Sequence, residues 1–216
     1  MAATLAQALK EQNEAARARI PPGTLAVMEA ATASLEASQL AERSLAVGAA
    51  APDFSLPDAK GDRVVLSKLL TEGPVVLSFY RGGWCPYCNI QLKTLQDRLG
   101  DIAEAGGRLV AVSPQTPDNS LSTAEKHSLA FPVLSDVGNA VARSYGIVFT
   151  LADELRPVYA GWGLDLAAAN GDRSFELPLP ATYLIRPDGT VAWRFVDADY
   201  TKRAEPDDVV DALRAL

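Results

Sequence analysis

Two apolar runs separated by one helical pattern set the fold. Pro74-Val75-Val76-Leu77-Ser78-Phe79-Tyr80 and Arg108-Leu109-Val110-Ala111-Val112-Ser113 both have strand length, and such runs read as strands covered on both faces. Between them Arg81-Gly82-Gly83 breaks the first strand, and a helical pattern runs to about Ala105. Its Leu92, Leu95, Leu99 and Ile102 recur at three- and four-residue steps, which gives one buried face. Strand, helix, strand is a βαβ unit, so the sheet is expected to be parallel here, with a right-handed crossover. The class is α/β.

The rest of the chain divides around this unit. Residues 1–45 are rich in Ala, Glu, Gln and Leu. They predict helices over about Thr4–Arg19 and Thr24–Ala41, separated by the breaker Ile20-Pro21-Pro22-Gly23, with Thr24 as an N-cap. Their apolar faces are thin, so they need a neighbour, either the main domain or a second copy in a homodimer. Residues 46–216 read as one domain. In it Ala51–Pro57 and Arg63–Leu66 form a hairpin, and Ser67 caps a helical turn through Leu70. Helices are expected over Ser120–Ala130 and Val137–Tyr145, and strands at Val133-Leu134 and Ile147–Phe149. Residues 150–178, with Pro157, Gly161, Gly163, Gly171 and Pro178 among short helical patches, read either as an insertion around the core or as a surface loop. Ala181–Arg186 and Thr190–Val196 form a hairpin about Pro187-Asp188-Gly189, and a last helix runs from Glu205 to Leu216.

Composition removes several function classes. The 216 residues are 48% hydrophobic and 22% charged, with a net charge of -7. An acidic surface is not a phosphate-binding one, so neither nucleic acid nor an anionic membrane is an expected partner. No apolar run approaches the roughly 20 residues that span a bilayer. Met1–Leu9 lacks a basic stretch followed by an apolar one, so it does not read as a signal peptide. The expected address is the cytoplasm.

The only two cysteines, Cys85 and Cys88, carry the chemistry. A loop this short adds little stability when closed, so in a reducing compartment the pair reads as redox-active or metal-binding. Zinc needs two further ligands, and the one histidine, His127, reads as a partly exposed helix residue; no metal and no cofactor is expected. Cys85 lies where the first buried strand gives way to a helix. Unpaired N–H groups and the positive end of the helix dipole favour a thiolate there. On that ground Cys85 is expected to be the more exposed and lower-pKa thiol. Cys88, one turn on, can capture an adduct formed on its neighbour. Pro86 suits the first helical turn. Trp84 and Tyr87 read either as a docking rim or as packing aromatics, and Arg81 either as thiolate support or as a solvated side chain.

Trp84-Cys85-Pro86-Tyr87-Cys88 resembles a thioredoxin-type Trp-Cys-x-x-Cys site with the inner pair of glutaredoxins. The wider stretch is similar to the peroxiredoxin-like branch of the alkyl hydroperoxide reductase and thiol-specific antioxidant family. It includes Val47–Phe54, Phe79–Cys88, Ala124–Asp136 and the closing Pro-Asp-Gly hairpin, about residues 46–216. The resemblance implies a thioredoxin-like, three-layer fold with a central mixed sheet, extended here by the N-terminal helices. Departures accompany it. The family pattern Pro-x-x-x-Thr-x-x-Cys places Arg81 on the Pro, Cys85 on the Thr and Cys88 on the peroxide-attacking Cys. The family's peroxide-holding Arg, at the start of a late strand, falls on Pro180. Thioredoxins carry a cis-Pro at that place, which predicts a cis Leu179–Pro180 bond.

Which sulfur attacks first therefore stays open between thioredoxin logic (Cys85) and peroxiredoxin logic (Cys88). The resemblance implies a thiol peroxidase that reduces hydroperoxides with electrons from a thioredoxin- or glutaredoxin-type donor. A thiol–disulfide oxidoreductase acting on protein or small-molecule disulfides is the alternative, and a redox sensor without turnover the third reading. The peroxidase leads because the likeness extends over most of the chain.

Overall fold

The computed structural model describes residues 4–216; the first three residues of the Met1–Leu9 segment lie outside them. Five strands form the central sheet: β3 (Val75–Phe79), β4 (Arg108–Ser113), β5 (Val133–Ser135), β8 (Ala181–Ile185) and β9 (Val191–Val196). Their order is β5-β4-β3-β8-β9. β3 pairs parallel with β4, and β4 with β5, while β8 and β9 add antiparallel pairs. The sheet is mixed, and the βαβ unit lies at its centre.

Every residue of β3 is buried, because the sheet has a core on each face. Val76 and Tyr80 point into one, with Leu9, Leu92 and Val209; Val75, Leu77 and Phe79 point into the other, with Leu66, Tyr145 and Ile147. Leu92 is fully buried in the first core. Leu92→Ala is expected to lower unfolding stability by about 2–5 kcal/mol, measurable by denaturant titration of the reduced protein.

The helix after the dithiol is two pieces, α5 (Pro86–Asp97) and α6 (Leu99–Glu104). The break is at Arg98, whose backbone (φ -104°, ψ 10°) leaves helical geometry while its side chain pairs with Asp101 and Asp207. Two capping expectations are corrected. Thr24 lies inside α2 (Pro22–Ala37), which opens on Pro22 because proline's fixed φ suits the first turn. Ser67 lies inside α4 (Leu66–Leu70) and gives its N–H to Asp53. The helix expected from Ser120 starts three residues earlier, with Pro117 opening α7 (Pro117–Lys126), and α8 is shorter than expected, Ala140–Ser144.

The N-terminal helices pack on their own chain. α1 (Leu5–Arg17) is capped by Thr4 and buries Leu5 and Leu9 in the core that holds the cysteines. The Glu205 carboxylate accepts from the N–H groups of Leu5 (3.2 Å) and Ala6 (2.5 Å), a negative charge at the positive end of a helix. Arg17 and Glu29 (2.7 Å) tie α1 to α2. A short α3 (Leu40–Arg43) follows.

Residues 150–178 are more than a surface loop. β6 (Val148–Thr150) pairs with β7 (Glu176–Pro178). Between them a 3-10 turn (Asp153–Leu155), α9 (Arg156–Gly161) and α10 (Leu166–Asn170) enclose an apolar cluster of Leu151, Leu155, Tyr159, Leu166 and Leu177. The short helical patches are legible in the sequence, but the strand pair and the cluster they close over are not, because each piece is only one or two turns long. The last helix, α11, covers Pro206–Arg214. No helix among the described residues is long and apolar enough to cross a membrane.

Candidate active site

The loop between β3 and α5 builds the site. Gly82 has φ +150°, and a Cβ there would collide with the Trp84 ring; a Cβ on Gly83 would collide with Thr123. These two glycines let the chain turn sharply out of β3. Gln115 accepts from the Gly83 N–H (2.7 Å), and Asn89 donates to its carbonyl (2.9 Å). Cys85 then caps α5, Pro86 takes the first helical position, and Cys88 falls in the first turn.

Both thiols are free, and both are buried, Cys85 at 2% exposure and Cys88 at 0%. Cys85 is hydrogen-bonded to Cys88. The Arg203 guanidinium donates through Nη2 to the Cys88 sulfur at 3.3 Å. Burial alone would push both thiols up. At Cys88 it is outweighed by the Cys85 hydrogen bond, the charges of Arg203 and Arg81, and the Arg81 backbone N–H, which hold the thiol well below its usual range. Cys85 goes the other way, raised by burial and by its hydrogen bond to the neighbouring thiolate.

The expectation that Cys85 is the exposed, lower-pKa thiol is therefore corrected. At Cys88 the neighbouring Cys85 thiol opposes burial first, and the charges of Arg203, which reaches the sulfur from outside the helix, and of Arg81 add to it.

Arg203 comes from the segment before α11. Its Nε donates to Gln91 Oε1 (2.7 Å), and its Nη1 donates to the carbonyls of Lys202 (2.6 Å) and Tyr200. Gln91 also donates to Ser78 on β3 (3.4 Å). Sequence reasoning missed this array. Arg203 sits in no recognisable pattern, but Gln91 left a signal: a polar residue beside Leu92 and Leu95, one turn from Cys88 on the buried face.

Arg81 is 3% exposed, so it is not a solvated side chain. Its guanidinium donates to the Tyr159 hydroxyl and lies 5.0 Å from the Trp84 ring centroid and 4.7 Å from that of Tyr200. Burial would lower its pKa, but Tyr159 and the two sulfurs raise it further, so Arg81 stays charged.

Trp84 meets Tyr159 edge-on, with centroids 5.7 Å apart. Tyr87 packs on Tyr200 and donates to Asn13 of α1 (3.3 Å). Both aromatics pack and also line a cavity. Its volume is about 330 Å³, and its walls come from α1, α2, α9 and the loop carrying Tyr200; Cys85 lies on it, while Cys88 does not.

Pro180 lines a second cavity of about 210 Å³ that shares Arg81, Tyr159 and Tyr200 with the first and is not lined by either cysteine. The Leu179–Pro180 bond is trans, since the described residues contain no cis peptide bond, which corrects the cis expectation. Leu179 is fully buried and donates its N–H to Ile147 (2.7 Å). The chain thus runs extended from β7 into β8, and trans is the lower-energy state of an X–Pro bond. His127 ends α7, partly buried. No cluster of three or more potential metal ligands occurs among the described residues.

The opposed shifts predict a pH signature. The depressed Cys88 pKa stabilises the reduced fold fully above the unfolded thiol value, about 8.5, and that stabilisation is lost as pH falls through the folded value. The raised Cys85 pKa contributes below about 8.5 and is lost as pH rises through its folded value. Stability of the reduced protein is expected to rise with pH toward about 8.5 and then fall. The oxidised protein, lacking both thiols, is expected to lose this component in urea titrations across the same pH range.

Comparison with known proteins matches residues 47–194 to the AhpC/TSA family, leaving α1–α3 outside the match. A Mycobacterium tuberculosis protein described as a peroxiredoxin is 35% identical over 106 residues, 49% of this chain and 69% of its own length. Peroxiredoxin Bcp of Escherichia coli is 33% identical over 103 residues, 48% of this chain and 65% of its own. The crystal structure of peroxidoxin BcpB from Mycobacterium tuberculosis superposes with a TM-score of 0.62 at 26% identity, covering 79% of this chain and 97% of that one. Peroxiredoxin Q of Xanthomonas campestris, at 21% identity, shares the fold with a TM-score of 0.58 over 79% of this chain and 96% of its own.

Proposed function

The chain belongs to the AhpC/TSA family, and we propose that it is a thiol peroxidase in which Cys88 attacks and Cys85 resolves. The observation that carries this reading is the Cys88 sulfur, hydrogen-bonded to Arg203 at 3.3 Å with the Cys85 thiol beside it. A thiolate is the nucleophile in such chemistry, and Cys88 is the sulfur this site keeps ionised.

The steps balance as follows. The Cys88 thiolate attacks the terminal oxygen of a hydroperoxide; the O–O bond breaks, Cys88 becomes a sulfenic acid, and the alkoxide takes a proton and leaves as an alcohol or water. The Cys85 thiol attacks the Cys88 sulfur, an S–S bond forms, and the hydroxyl departs as water with the Cys85 proton. A thiol donor, of thioredoxin or glutaredoxin type or smaller, returns two electrons.

Arg203 and Arg81 place two buried positive charges around one thiolate, so they also favour the negative charge developing on the departing oxygen. The peroxide-holding Arg that the family resemblance placed at Pro180 is replaced, in this reading, by Arg203 from a different segment. Cys85 takes the place of the family Thr twice over, donating a hydrogen bond and later closing the disulfide.

Exchange with disulfides is the weaker reading, because the match of residues 47–194 to the AhpC/TSA family favours a peroxidase. With two cysteines and no scaffold of disulfides, a reducing compartment, the cytoplasm, suits the chain. Stopped-flow oxidation of the reduced protein by hydrogen peroxide tests the proposal. Fast oxidation ending in one intramolecular disulfide is expected; sluggish oxidation beside rapid exchange with a disulfide substrate would overturn it.

A further inference from the structure

We propose that α2 is a strap that lifts off the two cavities and gates entry to the dithiol, while α1 and α3 on either side of it stay in place. The inference goes beyond the peroxidase reading, since a reagent for either sulfur meets the same cover whatever the reaction.

Enclosure makes a moving part necessary. Cys85 is 2% exposed and Cys88 0%, so neither sulfur is open to a reagent while the cover is closed. Every step at the dithiol therefore needs some of that cover to move. Cys85 lines the 330 Å³ cavity, and the 210 Å³ cavity adjoins it through Arg81, Tyr159 and Tyr200. Met28 and Thr32 of α2 line both. One helix thus closes the two spaces together.

Packing singles out which part moves. α1 buries Leu5 and Leu9 and is capped by Glu205. α9 buries Tyr159. α3 buries Ala41, and just after it Arg194 donates to the carbonyls of Ser44 (2.8 Å) and Leu45 (3.0 Å). α2 has 16 residues and buries none of them. Its Val27, Met28 and Ala31 rest half-buried on the cluster of Leu151, Leu155 and Tyr159, and Leu35 rests on the second core of the sheet. A helix held this way exposes little new apolar surface when it lifts, and such elements open locally well before the whole fold does.

The ends and the latch fit a strap. Ile20-Pro21-Pro22 joins α1 to α2, and the two prolines have no N–H to bind the joint to either helix. Between α2 and α3, Gln39 has φ +55°, a left-handed conformation that a residue with a Cβ adopts at a cost. Among the described residues the one ion pair from α2 to another element is Arg17–Glu29, at 2.7 Å. It ties the strap to α1, which is itself anchored in the core.

The test uses the full-length protein with its disulfide made by diamide. The probe is tris(hydroxypropyl)phosphine, an uncharged reductant, so neither peroxide reactivity nor thiol ionisation enters the rate. Glu29→Lys sets two positive charges against each other at the latch and is expected to raise the reduction rate about three- to tenfold. The Arg17 and Glu29 side chains are 49% and 56% exposed, so the fold does not depend on them. The charge swap Arg17→Glu with Glu29→Lys restores the pair and is expected to bring the rate back to within about twofold of wild type. Added salt should speed the wild type and slow Glu29→Lys, because it screens an attraction in one and a repulsion in the other. Glu205→Gln weakens the cap of α1 and should change the rate less than Glu29→Lys does. An unchanged rate in Glu29→Lys, a swap that does not restore it, or a larger effect of Glu205→Gln overturns the proposal.

Discussion

Cys88→Ser is expected to lower the rate of peroxide consumption by at least about a thousandfold, because removal of a nucleophile takes away the group on which every later step depends. Cys85→Ser is expected to behave differently. Its Cys88 should still be oxidised once, to a sulfenic acid that a dimedone-type probe traps, but no intramolecular disulfide can form. The Ser hydroxyl still donates to the Cys88 thiolate, so the first step is expected to slow by less than about tenfold, the size of one neutral hydrogen bond. If the two serine variants exchanged these behaviours, the order of attack would be reversed.

The second large effect concerns Arg203. Arg203→Gln removes the ionic hydrogen bond to Cys88 and leaves burial, which raises thiol pKa values, less opposed. The Cys88 pKa is expected to rise, because one close opposite charge is lost. The peroxide rate at neutral pH is expected to fall roughly a hundredfold, and raising the pH should recover part of it. Arg203→Lys restores the charge without the fork that holds Gln91 and two carbonyls, so it should recover the pKa more fully than the rate. A merely structural role for Arg203 would lower stability and leave the pH–rate profile in place.

The sequence carried the βαβ centre well, because Val75–Phe79 and Leu109–Ser113 are buried on both faces and need no partner to be recognised. The dithiol was legible for the same reason: its residues are consecutive, and the strand-to-helix junction follows from the apolar runs on either side. What stayed hidden came from distant segments. Arg203 lies 115 residues from Cys88, and Tyr159 lies 78 from Arg81; neither stands in a periodic pattern. The preference for Cys85 as the lower-pKa thiol followed from this, since the helix end is local and visible while the arginine that touches Cys88 is not. The Arg81 environment stayed open in the sequence, because a lone arginine after a strand looks solvated until the aromatics that enclose it are placed. The helical patches of residues 150–178 were visible but could not be bounded, because one- and two-turn helices show little periodicity.

The central claim is that the buried sulfur, Cys88, is the thiolate, and ultraviolet titration of thiolate absorbance tests it directly. In the reduced wild-type protein one thiol is expected to ionise well below the free-cysteine range and the other above it. The low-pH transition should vanish in Cys88→Ser and survive in Cys85→Ser. A low-pH transition that persists in Cys88→Ser and disappears in Cys85→Ser would contradict the account.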